Sequence, residues 1–219
     1  MSEKIKEYMN ESEARRIMVD IGRRMYDRGV VAANDGNISI LIGENRILCT
    51  PTGVSKGFMN EDDLIIIDFD EKVIKGSMTP SSEMKMHIEV YKKNETAQAV
   101  VHAHPVNATA LAVAGISLME PILTESVVVL GQIPLAPYAT AGTPEVAEAI
   151  SPFCKDYNGA LLANHGAVVW AETPMKAWYR MESLEQVSEI YIKSKFIIGN
   201  AGVLSDDKVN KLKDRYGIK

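Results

Sequence analysis

The chain contains four histidines, and two of them, His102 and His104, sit one residue apart in the apolar run VVHAHP. Side chains alternate along a strand, so both imidazoles project from one face, about 6.5–7 Å apart along it. With convergent side chains that is a workable bite for one metal ion. A pair of histidines making only hydrogen bonds is the competing reading of an isolated His-x-His. Two further stretches bear on the choice. In LLANHGAVV, His165 falls in a sharp Asn-His-Gly break between two apolar strand segments, where a solvated loop histidine is not expected. In PSSEMKMH, Glu83 falls in the first turn of a helix just before the histidine strand. Three imidazoles and one carboxylate, with no cysteine, suit zinc or another divalent transition metal such as Mn2+ or Co2+. His87, one turn after Glu83, is read as structural, with a supporting role beside the ligands as the alternative.

The elements that must position these groups follow from periodicity. Residues 12–28 place Ala14, Ile17, Met18, Ile21 and Met25 at helical spacing, and Gly29 is a natural stop. GNISILI and RILCT flank a short polar turn from Gly43 to Asn45, which predicts a hairpin, and LIIIDF is a further strand. PSSEMKMHIEVYKK reads as a helix with Ser81 or Ser82 as its N-cap. AQAVVHAH is a strand, and VNATALAVAG a short helix ending at Gly115. Thr143 caps a helix with Pro144 at its first position. GALLANHGAVVWA is a strand broken between Asn164 and Gly166, and Thr173-Pro174 opens a long helix carrying Trp178, Met181, Leu184, Val187, Ile190 and Tyr191. Strands and helices interleave along the whole chain, so the class is α/β with helices on both faces of one sheet, and the hairpins argue against a purely parallel one.

Composition narrows the function classes. At 219 residues the chain is expected to form one domain, residues 1–219, with no repeat or linker to divide it. A net charge of -5 and no Lys/Arg stripe argue against a nucleic-acid partner. The start, MSEKIKEYMN, carries no apolar segment for secretion, and no run reaches the roughly 18 apolar residues of a membrane helix. A cytoplasmic protein with no membrane partner is expected, its Cys49 and Cys154 reduced and acting as small apolar residues.

Taken together, DGNIS, TPTGVSKG, PSSEMKMH, VVHAHP, APYATAGT and LLANHGAVVW, in that order over nearly the whole chain, resemble the class II aldolase/adducin family. The resemblance implies a three-layer α/β/α sandwich around a mixed, mostly antiparallel sheet. It also implies a homotetramer with active sites between subunits. The metal, Zn2+ in the first instance, would be held by His102, His104, His165 and Glu83, with Glu83 also the catalytic acid/base. Asn34, Gly36, Asn37, Thr52, Gly53, Ser81 and Ser82 would bind a substrate phosphate through neutral donors, the serines at a helix N-terminus that favours anions. Taken alone, DGN and PTG are equally well read as plain turns. The implied reaction is reversible cleavage of a ketose 1-phosphate, L-fuculose 1-phosphate or a related deoxyketose 1-phosphate, to dihydroxyacetone phosphate and an aldehyde. Tyr216 in the terminal DRYGIK would reach a neighbouring subunit's site as a second catalytic group, donating a proton to the aldehyde oxygen. A frayed tail is the competing reading of that segment.

The chain departs from the family pattern twice. Asp35 stands among the phosphate loops, where an acid is unfavourable unless it points away. The segment MEPILTES lacks a tyrosine found in fuculose-phosphate members. Alternatives within the fold are aldolases or dehydratases of 5-deoxyribulose or methylthioribulose 1-phosphate, and sugar-phosphate 4-epimerases, which carry Asp where this chain has Glu83. A non-catalytic adducin-like module is expected to lack the histidine set.

Overall fold

The computed structural model describes residues 7–218. Met1–Lys6, part of the polar start, and Lys219 lie outside the described residues. Helix α1 (Glu11–Asp27) opens on Asn10, whose side chain accepts from the Glu13 N–H at 2.9 Å, and buries Ala14, Met18, Ile21 and Met25. It stops where Gly29 turns to φ +66°, as the apolar spacing predicts.

The expected hairpin forms from β1 (Asn37–Gly43) and β2 (Arg46–Cys49). The strands β3 (Ile65–Ile67) and β4 (Val73–Lys75) carry the sheet outward from β2. On the other side of β1 come β5 (Ala99–Ala103) and the pair β7 (Gly159–Leu162) and β8 (Gly166–Ala171). The short β6 (Leu135–Ala136) closes that edge, giving the order β4-β3-β2-β1-β5-β8-β7-β6. Among the described strands only β6 and β7 pair in parallel, so the sheet is mixed and mostly antiparallel.

Alternation along the central strands divides the core into two layers. Ile38, Ile40, Val101, Ala103 and Val169 face α1, α3 (Val106–Val113) and α5 (Pro174–Ile192). Ile47, Ile65, Val100, Val168 and Trp170 face α2 (Met84–Lys93) and α4 (Pro144–Ile150). The result is a three-layer α/β/α sandwich. Long helix α5 begins at Thr173, whose hydroxyl accepts from Lys176 N–H at 3.3 Å, and buries Trp178, Met181, Leu184, Val187 and Tyr191. Burying each such side chain contributes roughly 1.5–3 kcal/mol before chain entropy is counted. A π-helical turn, Lys193–Ile198, follows α5, and α6 (Asp206–Tyr216) ends the described chain.

One boundary differs from expectation. Helix α2 begins at Met84, with Glu83 rather than a serine as its N-cap residue. The Ser81 hydroxyl accepts from the Glu83 N–H at 3.3 Å, and the Ser81 carbonyl accepts from the Met84 N–H at 3.2 Å. A serine that captures the N–H two residues on makes a turn instead of a cap. Ser81 and Ser82 are thereby left at the mouth of α2, free of its regular ladder.

Candidate active site

His102 lies on β5, on the same face as Val100, where α2 covers the sheet. Its register partners are Asn37 on β1 and Val168 on β8, and it is fully buried. Its Nδ1 donates to the Ala167 carbonyl at 2.9 Å, so Nε2 is the nitrogen turned toward the cluster. His104 follows the end of β5, and its Nε2 is 3.2 Å from that of His102. His165 sits in the turn between β7 and β8, where Asn164 adopts φ +57° and bends the chain so that the ring returns over the sheet. The next residue must be glycine: a Cβ on Gly166 would lie 2.6 Å from both the Ala103 carbonyl oxygen and the His104 ring. Ring centroids of the three histidines are 4.8–5.1 Å apart, and one nitrogen from each lies within 4.8 Å of the others.

Glu83 completes the cluster. Its Oε2 is 3.2 Å from His102 Nε2, and its Oε1 is 3.3 Å from His165 Nε2. Burial pushes this carboxyl upward, but His102, then His165 and the Asn37 amide, outweigh that and hold it below the usual carboxylate range. Burial pushes His165 down to about 4, with His102 adding to the shift, and it lowers His104 as well. These two imidazoles are therefore neutral at pH 7, the form that binds a metal. Oε1 of Glu83 is buried and accepts no hydrogen bond. A buried carboxylate oxygen without a donor, ringed by imidazole nitrogens, fits a divalent cation. Cys49 and Cys154 are buried, free and remote in role, their thiols raised by burial to about 12.

Every residue expected to hold phosphate lines one cleft of about 310 Å3 that opens onto His104, His165 and Glu83. Asn34, Gly36 and Asn37 come from the segment entering β1, Thr52 and Gly53 from the turn after β2, and Ser81 and Ser82 from the mouth of α2. The Thr52 N–H donates to the Thr79 carbonyl at 3.0 Å, which ties two of these segments together. Gly36, at φ +73°, leaves no room for a side chain, since a Cβ would lie 2.9 Å from the His102 carbonyl oxygen. A volume of this order suits a small phosphorylated sugar.

Three features of the cleft were not assigned from the sequence. Lys56 is only 2% exposed, and its Nζ donates to the Asn34 carbonyl at 2.9 Å and the Val54 carbonyl at 2.7 Å. Burial brings its pKa down to about 8, with Asp35 pulling the other way. The loop Ala141-Gly142 forms a wall, so close that a Cβ on Gly142 would lie 2.8 Å from Ser82 Oγ. Asp35 turns its carboxylate toward His104. Both TPTGVSKG and APYATAGT contain these features, but nothing in a lone loop lysine or a small-residue loop marks it as part of a site. Tyr216 stands apart: it is exposed at the end of α6 and is not among the residues lining its own chain's cleft.

Three imidazoles and a carboxylate converge at the edge of a cleft, on a sheet covered by helices on both faces, an arrangement that suits a metal-dependent enzyme. Residues 16–192 match the family described as Class II Aldolase and Adducin N-terminal domain. The chain is 32% identical over 213 residues to a 3-oxo-tetronate 4-phosphate decarboxylase of Haemophilus influenzae, covering 94% of this chain and 99% of the relative. It is 36% identical over 172 residues to an L-fuculose phosphate aldolase of Methanococcus vannielii, covering 78% and 92%. A solved L-fuculose 1-phosphate aldolase superposes with a TM-score of 0.89 at 27% identity, covering 96% of this chain and 99% of that one. The chain belongs to the class II aldolase/adducin family. No helix among the described residues is long and apolar enough to cross a membrane.

Proposed function

We propose that the protein cleaves a ketose 1-phosphate, L-fuculose 1-phosphate or a related deoxyketose 1-phosphate, reversibly to dihydroxyacetone phosphate and an aldehyde. The observation that carries this is Glu83, a carboxylate with an unpartnered buried oxygen at the junction between the imidazole cluster and the phosphate cleft. His102, His104, His165 and Glu83 would hold a divalent cation, Zn2+ by the donor set, which would supply Lewis acidity to the cleavage. The cleft's neutral donors and the Lys56 ammonium hold the phosphate and fix the ketose relative to Glu83. In the synthetic direction the Glu83 carboxylate removes the proton from the attacking carbon and the neighbour's Tyr216 phenol gives one to the aldehyde oxygen; cleavage reverses both transfers, so the hydroxyl loses one proton for each that the carbon gains. The active unit is a single domain assembled as a homotetramer, with Tyr216 serving a neighbour's site. Its exposure away from its own cleft supports that arrangement.

The Haemophilus relative supports a second reading. Loss of carbon dioxide from a 3-oxo acid 4-phosphate of four carbons leaves the same dihydroxyacetone phosphate enediolate, so one metal and one Glu83 could serve either cleavage. A carboxylate on the substrate, however, calls for a second cation. Lys56 is the one Lys or Arg among the described residues lining the cleft, and it lies under the phosphate loops. Aldol cleavage, with an uncharged aldehyde half, therefore comes first.

The test is a panel of ketose 1-phosphates given to the zinc-loaded protein, with dihydroxyacetone phosphate followed through a coupled dehydrogenase. A 3-oxo acid phosphate is run alongside. Release from the ketoses supports the proposal; release from the 3-oxo acid alone replaces it with decarboxylation.

A further inference from the structure

Beneath α2 a line of polar groups runs through the interior, away from the cleft. Tyr91 OH is 2.8 Å from Ser39 Oγ, and Ser39 Oγ is 2.7 Å from His87 Nδ1. His87 Nε2 is 2.6 Å from Asn37 Oδ1, and Asn37 Nδ2 is 2.8 Å from Glu83 Oε2. Ser39 and His87 are fully buried, and Asn37 and Tyr91 nearly so.

The direction of every bond is forced. A carboxylate only accepts, so Asn37 turns its NH2 to Glu83 and its carbonyl to His87. His87 must then donate from Nε2, which leaves Nδ1 to accept from the Ser39 hydroxyl, while Ser39 Oγ accepts from Tyr91. The network thus assigns His87 the Nε2–H tautomer. Burial lowers its pKa to about 3, which agrees with a neutral ring. The second N–H of the Asn37 amide goes to Ser81 Oγ at 3.3 Å. The amide has no donor left for a ligand in the cleft, although Asn37 lines it.

We infer that His87, acting through Asn37, is a positioning residue that pins Oε2 of Glu83 and leaves Oε1 as the oxygen free to move a proton at the substrate carbon. The two oxygens of an unrestrained carboxylate are equivalent by rotation. Here one accepts a short hydrogen bond backed by a fully paired chain, and the other has no donor. The pinning stands on the hydrogen-bond geometry alone; that Oε1 carries a proton rests on the proposed function.

The experiment compares His87→Leu, His87→Gln, Asn37→Ala and the His87→Leu/Asn37→Ala double variant. Gln places an N–H where His87 has Nε2–H; Leu places none. With zinc-loaded protein, exchange of the C3 proton of dihydroxyacetone phosphate into D2O should slow by about 10-fold or more in His87→Leu, part of the 10²–10⁴ a general base supplies. KM should be unchanged. Asn37→Ala should match its loss of exchange rate, the double variant should exchange no more slowly than either single, and His87→Gln should stay within about 3-fold of the parent, the non-additivity marking one coupled unit. A raised KM at unchanged kcat, additive losses, or equal impairment by Gln and Leu would overturn the inference. If His87→Leu fails to fold, Asn37→Ala and His87→Gln carry the same comparison.

Two readouts do not depend on turnover. Nitrogen-15 NMR should find His87 protonated at Nε2 only, and the visible spectrum of the Co2+-loaded protein should shift in His87→Leu and return in His87→Gln. If the parent exchanges no C3 proton, the proposed function fails while these two decide the pinning. An Nδ1–H tautomer or an unmoved Co2+ spectrum would end it.

Discussion

Asp35 Oδ2 lies 3.5 Å from Nδ1 of His104, so the one acid in the loops that line the cleft faces an imidazole. The contact turns one oxygen of Asp35 toward the cluster, although the residue still lines the cleft. It also gives the carboxylate a use, because a ring held at Nδ1 presents Nε2 to the cluster. Outer partners of ligating histidines contribute about 10–100-fold to metal affinity. Asp35 is nearly half exposed, so Asp35→Asn should sit at the low end, weakening zinc by about 10-fold. Competition with a chromophoric chelator measures this, and an undiminished affinity would leave the ring's orientation to packing.

Metal dependence follows from the ligand set itself. His102→Ala should abolish stoichiometric zinc, since His102 is the buried member with its tautomer fixed by Ala167. Chelated parent protein should lose activity and regain it with Zn2+, Mn2+ or Co2+. Full turnover by protein shown by elemental analysis to be metal-free would refute the assignment.

Lys56 sets a pH dependence whose sign can be worked out. Unfolded, it keeps its proton to about 10.4; folded, it releases it near 8. Between those values the unfolded chain binds more protons, so unfolding free energy rises with pH, by at most about 1.4 kcal/mol per unit. Below the folded pKa the penalty for burying the charge is present in full. The parent should therefore gain stability on Lys56→Met between pH 7.5 and 9.5, read from urea midpoints. Inhibition by inorganic phosphate should go the other way, weakening in the parent as the ammonium is lost and remaining weak and flat in Lys56→Met. A stability gap that does not move with pH would return Lys56 to an ordinary lysine.

The sequence carried the metal cluster because its signals are local. Alternation alone places His102 and His104 on one face, and the Asn-His-Gly break isolates His165. The chain from Tyr91 to Glu83 was not legible in the same way. Asn37 and Ser39 alternate with Ile38 and Ile40, the pattern of a strand with one wet face, yet here α2 covers that face and makes it dry. Which face a helix will cover is a tertiary fact. The start of α2 differs from the expected serine cap for a related reason: Ser81 has the chemistry of a cap, but its hydroxyl is taken by the turn before the helix.

Tyr216 provides the test of assembly. Tyr216→Phe should slow carbon–carbon cleavage far more than C3 proton exchange, because exchange needs only the cation and Glu83. Deleting residues 215–219 should do the same while leaving the oligomer, measured by light scattering, intact. Parental cleavage rates in both variants would make the tail ordinary fraying.

The four metal-facing side chains come from three distant places along the chain: the entry to α2, the end of β5 and the turn between β7 and β8. An ion gripping all of them would act as a removable cross-link, closing loops that the buried and unpaired Cys49 and Cys154 leave open. Folding and metal supply are then thermodynamically linked. With free zinc at about 1,000 times its dissociation constant, the native state gains about 4 kcal/mol, a large share of what holds a typical domain together. A cell short of the metal would lose more than catalysis; it would hold a population of this chain that opens, and is degraded, more readily.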